Sequence, residues 1–316
     1  MTTTYLVTGG AGCIGSELCS ALLSRGDRVV ALDNLSSGRE EHIAELLNNS
    51  RFRFLRGDLL DPPALEAALE EVDFVYHLAA NSDVKFNADE PDRDLRQNLV
   101  ATQQLLEAMR RRGLRKLAFS STSAVYGNSV LQPIPESQAC RPISLYGASK
   151  LACEAMIAAY SNLFHIQAWV FRFANVVGGK VRKVGRTVIS DFIAKLRRDS
   201  TRLEILGNGK QAKSYIQTSA CVDSMLFVVE HAQTPFNLYN LGADDVVSVT
   251  RIAELVVEAM GLKQVRFDYT GTEAGWPGDV PRFLLDVAAL NMLGWRCRQS
   301  SEAAITHAIQ EILAHD

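Results

Sequence analysis

A doubly wound α/β sheet, parallel and covered by helices on both faces, is the fold class that three observations in the sequence predict. Short apolar runs recur through the first half of the chain, and they are continuous rather than alternating, as in strands buried on both faces. Amphipathic stretches long enough for helices separate them, so strand and helix take turns along the chain. The glycine-punctuated segment Gly9-Gly10-Ala11-Gly12-Cys13-Ile14-Gly15 joins the first apolar run to the first helical stretch. At such a turn, backbone N–H groups and the positive end of a helix dipole can meet a pyrophosphate.

Taken in order, strands are predicted at residues 5–7, 28–32, 52–55, 74–77, 117–119 and 168–173. Helices are predicted between them at 14–25, 64–70, 95–112 and 146–164. Past about Val176 the regularity weakens. A helix over 188–198, a strand over 203–206, helices over 219–231 and 250–261, and a last helix from Ser301 are predicted there. Gly207-Asn208-Gly209 and Trp276-Pro277-Gly278-Asp279 read as turns. A chain of 316 residues exceeds the comfortable size of one core. The expectation is a nucleotide-binding Rossmann domain over 1–176, to which some later segments return. A smaller, interleaved C-terminal α/β lobe over 177–316 is expected to bind substrate.

Composition narrows the function. The 47% hydrophobic and 22% charged fractions are those of an ordinary soluble globular protein. A net charge of −3 and a pI near 6.1 give no reason to expect a nucleic acid partner. The run Arg110-Arg111-Arg112 reads as a solvated helix end whose cations suit the dipole. No apolar stretch approaches the ~20 residues of a membrane span, and Met1-Thr2-Thr3-Thr4 runs into a strand with no charged leader. The six cysteines (Cys13, Cys19, Cys140, Cys153, Cys221 and Cys297) lack CxxC or zinc-like spacing. Most are expected to be small buried residues of a reduced, cytoplasmic protein, with no metal site.

Two clusters carry chemistry. The glycine turn has Asp33 at the end of the second strand. A carboxylate there accepts hydrogen bonds from a ribose 2′-OH and repels a 2′-phosphate, which favours NAD over NADP. Arg39 in the same loop is the counter-signal, since it could pair a phosphate, and Asp33 could instead cap a helix. The second cluster, Tyr146-x-x-x-Lys150, sets a phenol and an ammonium one helical turn apart on one face. A cation nearby lowers a phenol's pKa from about 10, making Tyr146 an expected proton acceptor near neutrality. Ser120-Ser121-Thr122-Ser123 follows a predicted sheet strand at its carboxyl end, where ligands of such folds gather.

On these residues the chain resembles the extended short-chain dehydrogenase/reductase family, in its nucleotide-sugar 4-epimerase and dehydratase branch. The resemblance is carried by Thr8 to Gly15, Asp33-Asn34-Leu35-Ser36, Gly57-Asp58-Leu59, His77-Leu78-Ala79-Ala80, Asn98, Ser120 to Gly127, Tyr146 to Lys150 and Arg172-Phe173-Ala174-Asn175. Gly275-Trp276-Pro277-Gly278-Asp279 extends it into the C-terminal lobe. It implies that Tyr146 is the base, that Lys150 tunes it and binds the nicotinamide ribose, and that Thr122 bonds the sugar hydroxyl. It implies an NAD site made by Gly9, Gly12, Cys13, Ile14, Gly15, Asp33, Asn34, Ser37, Gly38, Asp58, Leu59, Leu78, Ala79, Ala80, Asn98, Ser120, Tyr146, Lys150 and Phe173. For the substrate it implies Ser82, Lys85, Thr122, Ser123, Asn175, Arg186, Lys213, Tyr215, Asp279 and Phe283.

One position separates the branches. Dehydratases of the family carry an acidic pair after the catalytic threonine, and decarboxylases read Thr-Ser-Glu-Val-Tyr-Gly. This chain reads Thr122-Ser123-Ala124-Val125-Tyr126-Gly127. Alanine transfers no proton, which leaves 4-epimerisation of a UDP-sugar through a transient 4-keto sugar. The family's usual diphosphate arginine is missing at Ala274 and Trp276, so Lys213, Arg186 or Arg282 is expected to supply that charge. Phe283 is bulky where relatives gate the sugar's C2 substituent, which favours a 2-hydroxy sugar. The basic loop 180–186 is either solvated or offers an arginine to a C6 carboxylate, the second option pointing to UDP-glucuronate. A homodimer through the helices at 95–112 and 146–164 is expected. Alternatives of the same dyad are a decarboxylase or ketoreductase, and of another class an NAD-bound regulatory protein.

Overall fold

The structure is a computed structural model and describes residues 2–81, 90–179, 187–273, 275 and 280–314. Ser82, Lys85, Arg186 and Asp279, with the loop 180–186, Ala274 and Trp276, lie outside the described residues. The chain folds as two compact units. The first comprises Met1–Gly127, Ala139–Phe173 and Val222–Tyr239; the second comprises Asn128–Gln138, Ala174–Cys221 and Asn240–Asp316.

The first unit is built on β1 (Thr4–Thr8), β2 (Arg28–Asp33), β3 (Phe52–Arg56), β4 (Phe74–His77), β5 (Lys116–Thr122) and β6 (Gln167–Phe173). These six pair in parallel in the order β6-β5-β4-β1-β2-β3, and strand Phe236–Leu241 extends the sheet beyond β6. The order reverses between β1 and β4, the switch point at which such sheets open a ligand crevice. Parallel pairing demands burial on both faces, and the strands supply it: Leu6, Val30, Leu32, Val75, Leu117, Phe119, Ala168 and Val170 form one core with Leu105, Leu106, Met109, Cys153 and Ile157.

Helices α1 (Cys13–Ser24), α2 (Pro62–Ala68), α3 (Asp92–Asp94), α4 (Ala101–Arg112) and α5 (Leu145–Phe164) make the connections in this unit. The single helix predicted over 95–112 is in fact three pieces. After α3, residues Leu95–Val100 wind as a π-helix before α4 resumes α geometry. Helix α4 ends on Gly113 at φ 73, with Arg110, Arg111 and Arg112 in its last turn, where their charges suit the dipole. Helix α5 starts at Ser144, whose hydroxyl accepts the Gly147 N–H at 3.1 Å.

The second unit is smaller-grained. Asn175–Val177 pairs in parallel with Tyr215–Gln217; Ala212–Lys213 lies between Val247–Ser248 and Arg282–Phe283; Arg202–Ile205 pairs with Arg266–Tyr269. Helices Val188–Arg198, Val249–Ala259 and Ser301–Ala314 cover a core of Ile189, Phe192, Leu203, Ile252, Ile305 and Ile309. Among the described residues no helix is long and apolar enough to cross a membrane. All six cysteines are free, but only Cys19, Cys153 and Cys221 are buried, whereas most were expected to be.

Candidate active site

The glycine turn closes tightly on its neighbours. Gly9 takes φ +71, and a Cβ there would lie 2.8 Å from the Ala79 nitrogen; one on Gly15 would lie 2.1 Å from the Gly9 carbonyl oxygen. Glycine is required at both. Helix α1 follows Gly12, an N-cap residue with no side chain to cap it, and has no acidic residue in its first turn, so no carboxylate of its own first turn occupies its positive end. Asp33 is buried at the end of β2 and does not cap a helix. Its Oδ2 accepts the Ala11 N–H at 3.0 Å and its Oδ1 accepts the Leu35 N–H at 2.8 Å. Burial pushes its pKa up, opposed by those two hydrogen bonds and by His42. Asp33 therefore ties the glycine turn to the loop after β2, a role the sequence reading missed.

Around that loop, Asn34 donates to Asp58 at 2.8 Å and Asp58 accepts the Leu60 N–H at 2.9 Å. Gly38 is packed so closely that a Cβ would meet Asp33 Oδ2 at 2.8 Å. Arg39, the counter-signal for NADP, lies 3.8 Å from Glu41. Leu59 packs its side chain into the sheet core, so the polar partner available in that segment is Asp58. Ser37 and Ile14 are half-buried, as are Leu78, Ala79 and Ala80 just past β4. Uncapped helix, glycine turn and strand-end carboxylate fit a dinucleotide with its pyrophosphate at α1 and its ribose at Asp33.

At the carboxyl end of β5, Thr122 Oγ1 accepts the Ala124 N–H at 3.2 Å and the Thr122 side chain bonds the Tyr146 hydroxyl. Lys150, one turn along α5, is 2% exposed, with its Nζ 4.2 Å from the Phe119 ring centroid. Tyr146 keeps some exposure as a residue, but its phenol oxygen sits deep. That burial pushes its pKa up to about 12, against the Thr122 hydrogen bond, which pulls it down. The expectation of a phenol brought near neutrality is not met in this arrangement: burial raises its pKa, and of the groups acting on it only the Thr122 hydrogen bond lowers it. Burial also lowers Lys150 to about 8, while Cys153 and Glu154 favour its charge.

A directed chain of hydrogen bonds backs this site. Thr102 Oγ1 donates to the Asn98 carbonyl at 2.7 Å, so it accepts from His77 Nε2 at 3.0 Å. His77 Nδ1 is then an acceptor for the Thr8 hydroxyl at 2.7 Å, and Thr8 Oγ1 accepts the Ala79 N–H at 3.2 Å. His77 is fully buried, and that burial, with Lys150 nearby, lowers its pKa to about 3. From Asn98 the chain continues: Nδ2 donates to Ser149 Oγ at 2.8 Å, and Ser149 Oγ donates to the Tyr146 carbonyl at 2.8 Å.

An ionic cluster lies on the other side of α5. Arg172 on β6 bonds Glu154 through Nε at 3.1 and 3.2 Å and through its terminal nitrogen at 2.6 Å. It also donates to the Tyr126 hydroxyl at 3.0 Å and sits over that ring, and Ser121 donates to Glu154. Burial works against the Arg172 charge, but Glu154 and Tyr126 hold its pKa above the ordinary value. Nearby, Ser120 donates to the His77 carbonyl at 3.3 Å, and Phe173 stacks on Phe171 at 6.4 Å. Ser123 and Ala124 form the 3-10 turn that follows Thr122.

In the second unit, Asn175 donates its N–H to the Ser214 carbonyl at 3.2 Å. Lys213 Nζ is 6.0 Å from the centroid of buried Phe283, on the next strand. Tyr215 is buried, its N–H donating to Ser301 at 2.9 Å. Ser214, between Lys213 and Tyr215, is fully buried and donates to the Ala243 carbonyl at 2.8 Å. Its hydroxyl serves the backbone.

Residues 5–242 match the model of the NAD dependent epimerase/dehydratase family. The chain is 30% identical over 311 residues to UDP-glucose 4-epimerase of Mycolicibacterium smegmatis, covering 96% of this chain and 97% of that one. It is 31% identical over 259 residues to UDP-glucuronic acid decarboxylase 1 of Arabidopsis thaliana, covering 80% of this chain and 58% of that one. Among solved structures, UDP-glucuronic acid 4-epimerase from Bacillus cereus in complex with UDP-glucuronic acid and NAD matches at TM-score 0.90 and 28% identity, covering 99% and 100% of the two chains. The chain belongs to the NAD-dependent epimerase/dehydratase family, and its cofactor is NAD.

Proposed function

We propose that the protein is a UDP-sugar 4-epimerase, inverting C4 of a UDP-hexose or UDP-hexuronate in the cytoplasm. The observation that carries this reading is Thr122 bonded to Tyr146, with Lys150 one turn on and Ala124 where an acid would serve a second reaction. The chemistry that bound NAD would supply is reversible hydride exchange at the sugar's C4. Gly9, Gly12 and Gly15 hold the tight turn at the start of α1 where the NAD pyrophosphate would lie, and Asp33 at the end of β2 would take its ribose. Tyr146 receives the proton of the C4 hydroxyl, Thr122 orienting both oxygens. Lys150 stays largely protonated at neutral pH with a pKa of about 8, and supplies the cation that offsets the developing phenolate.

For the substrate, Asn175, Lys213, Tyr215 and Phe283 remain the assigned residues of the second unit, joined by Ser82, Lys85, Arg186 and Asp279. Phe283 is bulky and buried, which favours a 2-hydroxy sugar over an N-acetylhexosamine. Purified protein incubated separately with UDP-glucose, UDP-glucuronate and UDP-N-acetylglucosamine, followed by NMR at C4, tests the assignment. Inversion of one of the first two without net NADH supports it; loss of CO₂ from UDP-glucuronate would establish instead the decarboxylation that the Arabidopsis relative's name describes.

A homodimer belongs to the same reading. Of the apolar residues on α5, Ile157 is fully buried in the core and Met156 packs against it, while Leu163 is 65% exposed. The outward apolar face is therefore narrower than the sequence suggests. A light-scattering mass of 34.7 kDa, that of one chain, would exclude the dimer.

A further inference from the structure

Helix α3 ends on a carboxylate, Asp94, that is only 2% exposed. Its Oδ1 accepts from Asn81 Nδ2 at 2.9 Å and from Asn98 Nδ2 at 3.3 Å. Asn98 Oδ1 accepts the Asn81 N–H at 2.8 Å, which fixes the orientation of that amide. The second hydrogen of Asn98 Nδ2 goes to Ser149, whose hydroxyl donates to the Tyr146 carbonyl. Every polar position of the Asn98 amide is thus used, and Asn98 stands inside the π-helical turn, the geometry that aims it.

We propose that Asp94 is a positioning residue for the Tyr146–Lys150 turn: its carboxylate orients the Asn98 amide, and Asn98 holds that turn through Ser149. The proposal rests on Tyr146 being the base. Without an acceptor at 94, the Asn81 amide and one Asn98 hydrogen are left unpaired in a buried place, and the cheapest relief is rotation of Asn98 away from Ser149. A buried anion here has a second consequence. Asp94 faces the phenol and opposes its ionisation. The other groups acting on the phenol are Thr122 from β5 and Cys153 from α5. The residue that aligns the base therefore also adds to the burial that raises its pKa.

Three variants separate alignment from charge. Asp94→Asn keeps an Oδ1 that can accept both amide hydrogens and removes the charge; Asp94→Ala removes both; Tyr146→Phe marks the phenol. Misalignment of about an ångström costs on the order of 10²-fold, so Asp94→Ala is expected to lower kcat by roughly tenfold to a hundredfold with KM within about threefold. Asp94→Asn is expected to recover most of that loss. Tyrosinate absorbance, taken as each protein minus its Tyr146→Phe counterpart, is expected to titrate at lower pH in both Asp94 variants. The rising limb of kcat is expected to move the same way. A Tyr146 titration unchanged in Asp94→Asn, or full kcat in Asp94→Ala, would overturn the proposal. If Tyr146→Phe itself turns over normally, the base assignment fails, while the absorbance titration still decides the effect of Asp94. If Asp94→Ala does not fold, the titration of Asp94→Asn decides alone.

Discussion

The two polar networks flanking α5 hold the same helix on opposite principles. On one side, Thr8, His77, Thr102, Asn98 and Ser149 form a neutral chain in which each proton's direction is forced by its neighbour, and a single buried carboxylate, Asp94, anchors it at Asn98. On the other, Glu154 and Arg172 form a buried ion pair with Ser121 and Tyr126 as auxiliary partners. The difference centres on Lys150. Glu154 favours the Lys150 charge, whereas His77, if protonated, would oppose it. The ionic side thus supplies the anion that a buried lysine needs, and the neutral side keeps a titratable ring from becoming a second cation. Direction costs less than charge to bury, because a satisfied neutral chain pays no ion desolvation.

The largest effect expected is at the residue both networks serve. Tyr146→Phe keeps the ring and removes the proton acceptor, so kcat should fall by about 10²–10⁴, the usual contribution of a general base. NAD retention by the purified variant should be unchanged. Wild-type turnover in this variant would mean that neither network supports a base at this position.

Breaking the ionic side comes next. Arg172→Met leaves the Glu154 carboxylate without its guanidinium, with Ser121 as its remaining hydrogen-bond partner among the described residues, and removing one member of a buried pair costs about 3–5 kcal/mol. The double change Glu154→Gln with Arg172→Met should be less harmful than Arg172→Met alone, since no orphan charge remains. Denaturant unfolding of wild type, Glu154→Gln, Arg172→Met and the double variant measures this, and strict additivity would show that the pair is not coupled.

The neutral side should fail by pH instead. His77 is held near a pKa of about 3 in the fold against 6.5 ordinarily. Below 6.5 the unfolded chain takes up a proton that the fold refuses, so stability falls as pH drops towards 3, by about 1.4 kcal/mol per unit. Above 6.5 both states are neutral and the penalty vanishes. His77→Gln removes this slope while offering one donor and one acceptor in place of the two ring nitrogens. Unfolding followed from about pH 7 to about pH 5 in both proteins should show the wild-type curve falling more steeply; parallel curves would mean that His77 is not locked neutral.

These networks also mark where the sequence is legible. The sheet strands announce themselves because burial on both faces leaves no polar positions, and Tyr146, Lys150 and Thr122 stand out through spacing and strand end. The π-helical turn over Leu95-Arg96-Gln97-Asn98-Leu99-Val100 has no compositional mark, so one regular helix was the natural expectation there. Asp94 at a helix start resembles any surface acid, and only the fold reveals that its carboxylate is buried. Spacing set Tyr146 and Lys150 on one helix face but carried no sign of the burial that raises the phenol's pKa. In the second unit, strands as short as Ala212–Lys213 and Arg282–Phe283 carry too few residues for any period to register.

The smallest effect tests whether the neutral network reaches the dyad at all. Ser149 is its last link, accepting from Asn98 and donating to the Tyr146 carbonyl. In Ser149→Ala the Asn98 amide keeps its bond to Asp94 at 3.3 Å, so no buried donor is fully orphaned. The expected stability loss is therefore about 1 kcal/mol, that of an ordinary hydrogen bond. Turnover should nevertheless drop by several-fold, because the turn carrying Tyr146 and Lys150 loses its only fixed tie to Asn98 among the described residues. Combined with Asp94→Ala, the Ser149 change should add almost nothing further to the kcat loss, since both sever one path. Independent, multiplying effects of the two changes would separate Ser149 from that path and confine the neutral network to stability.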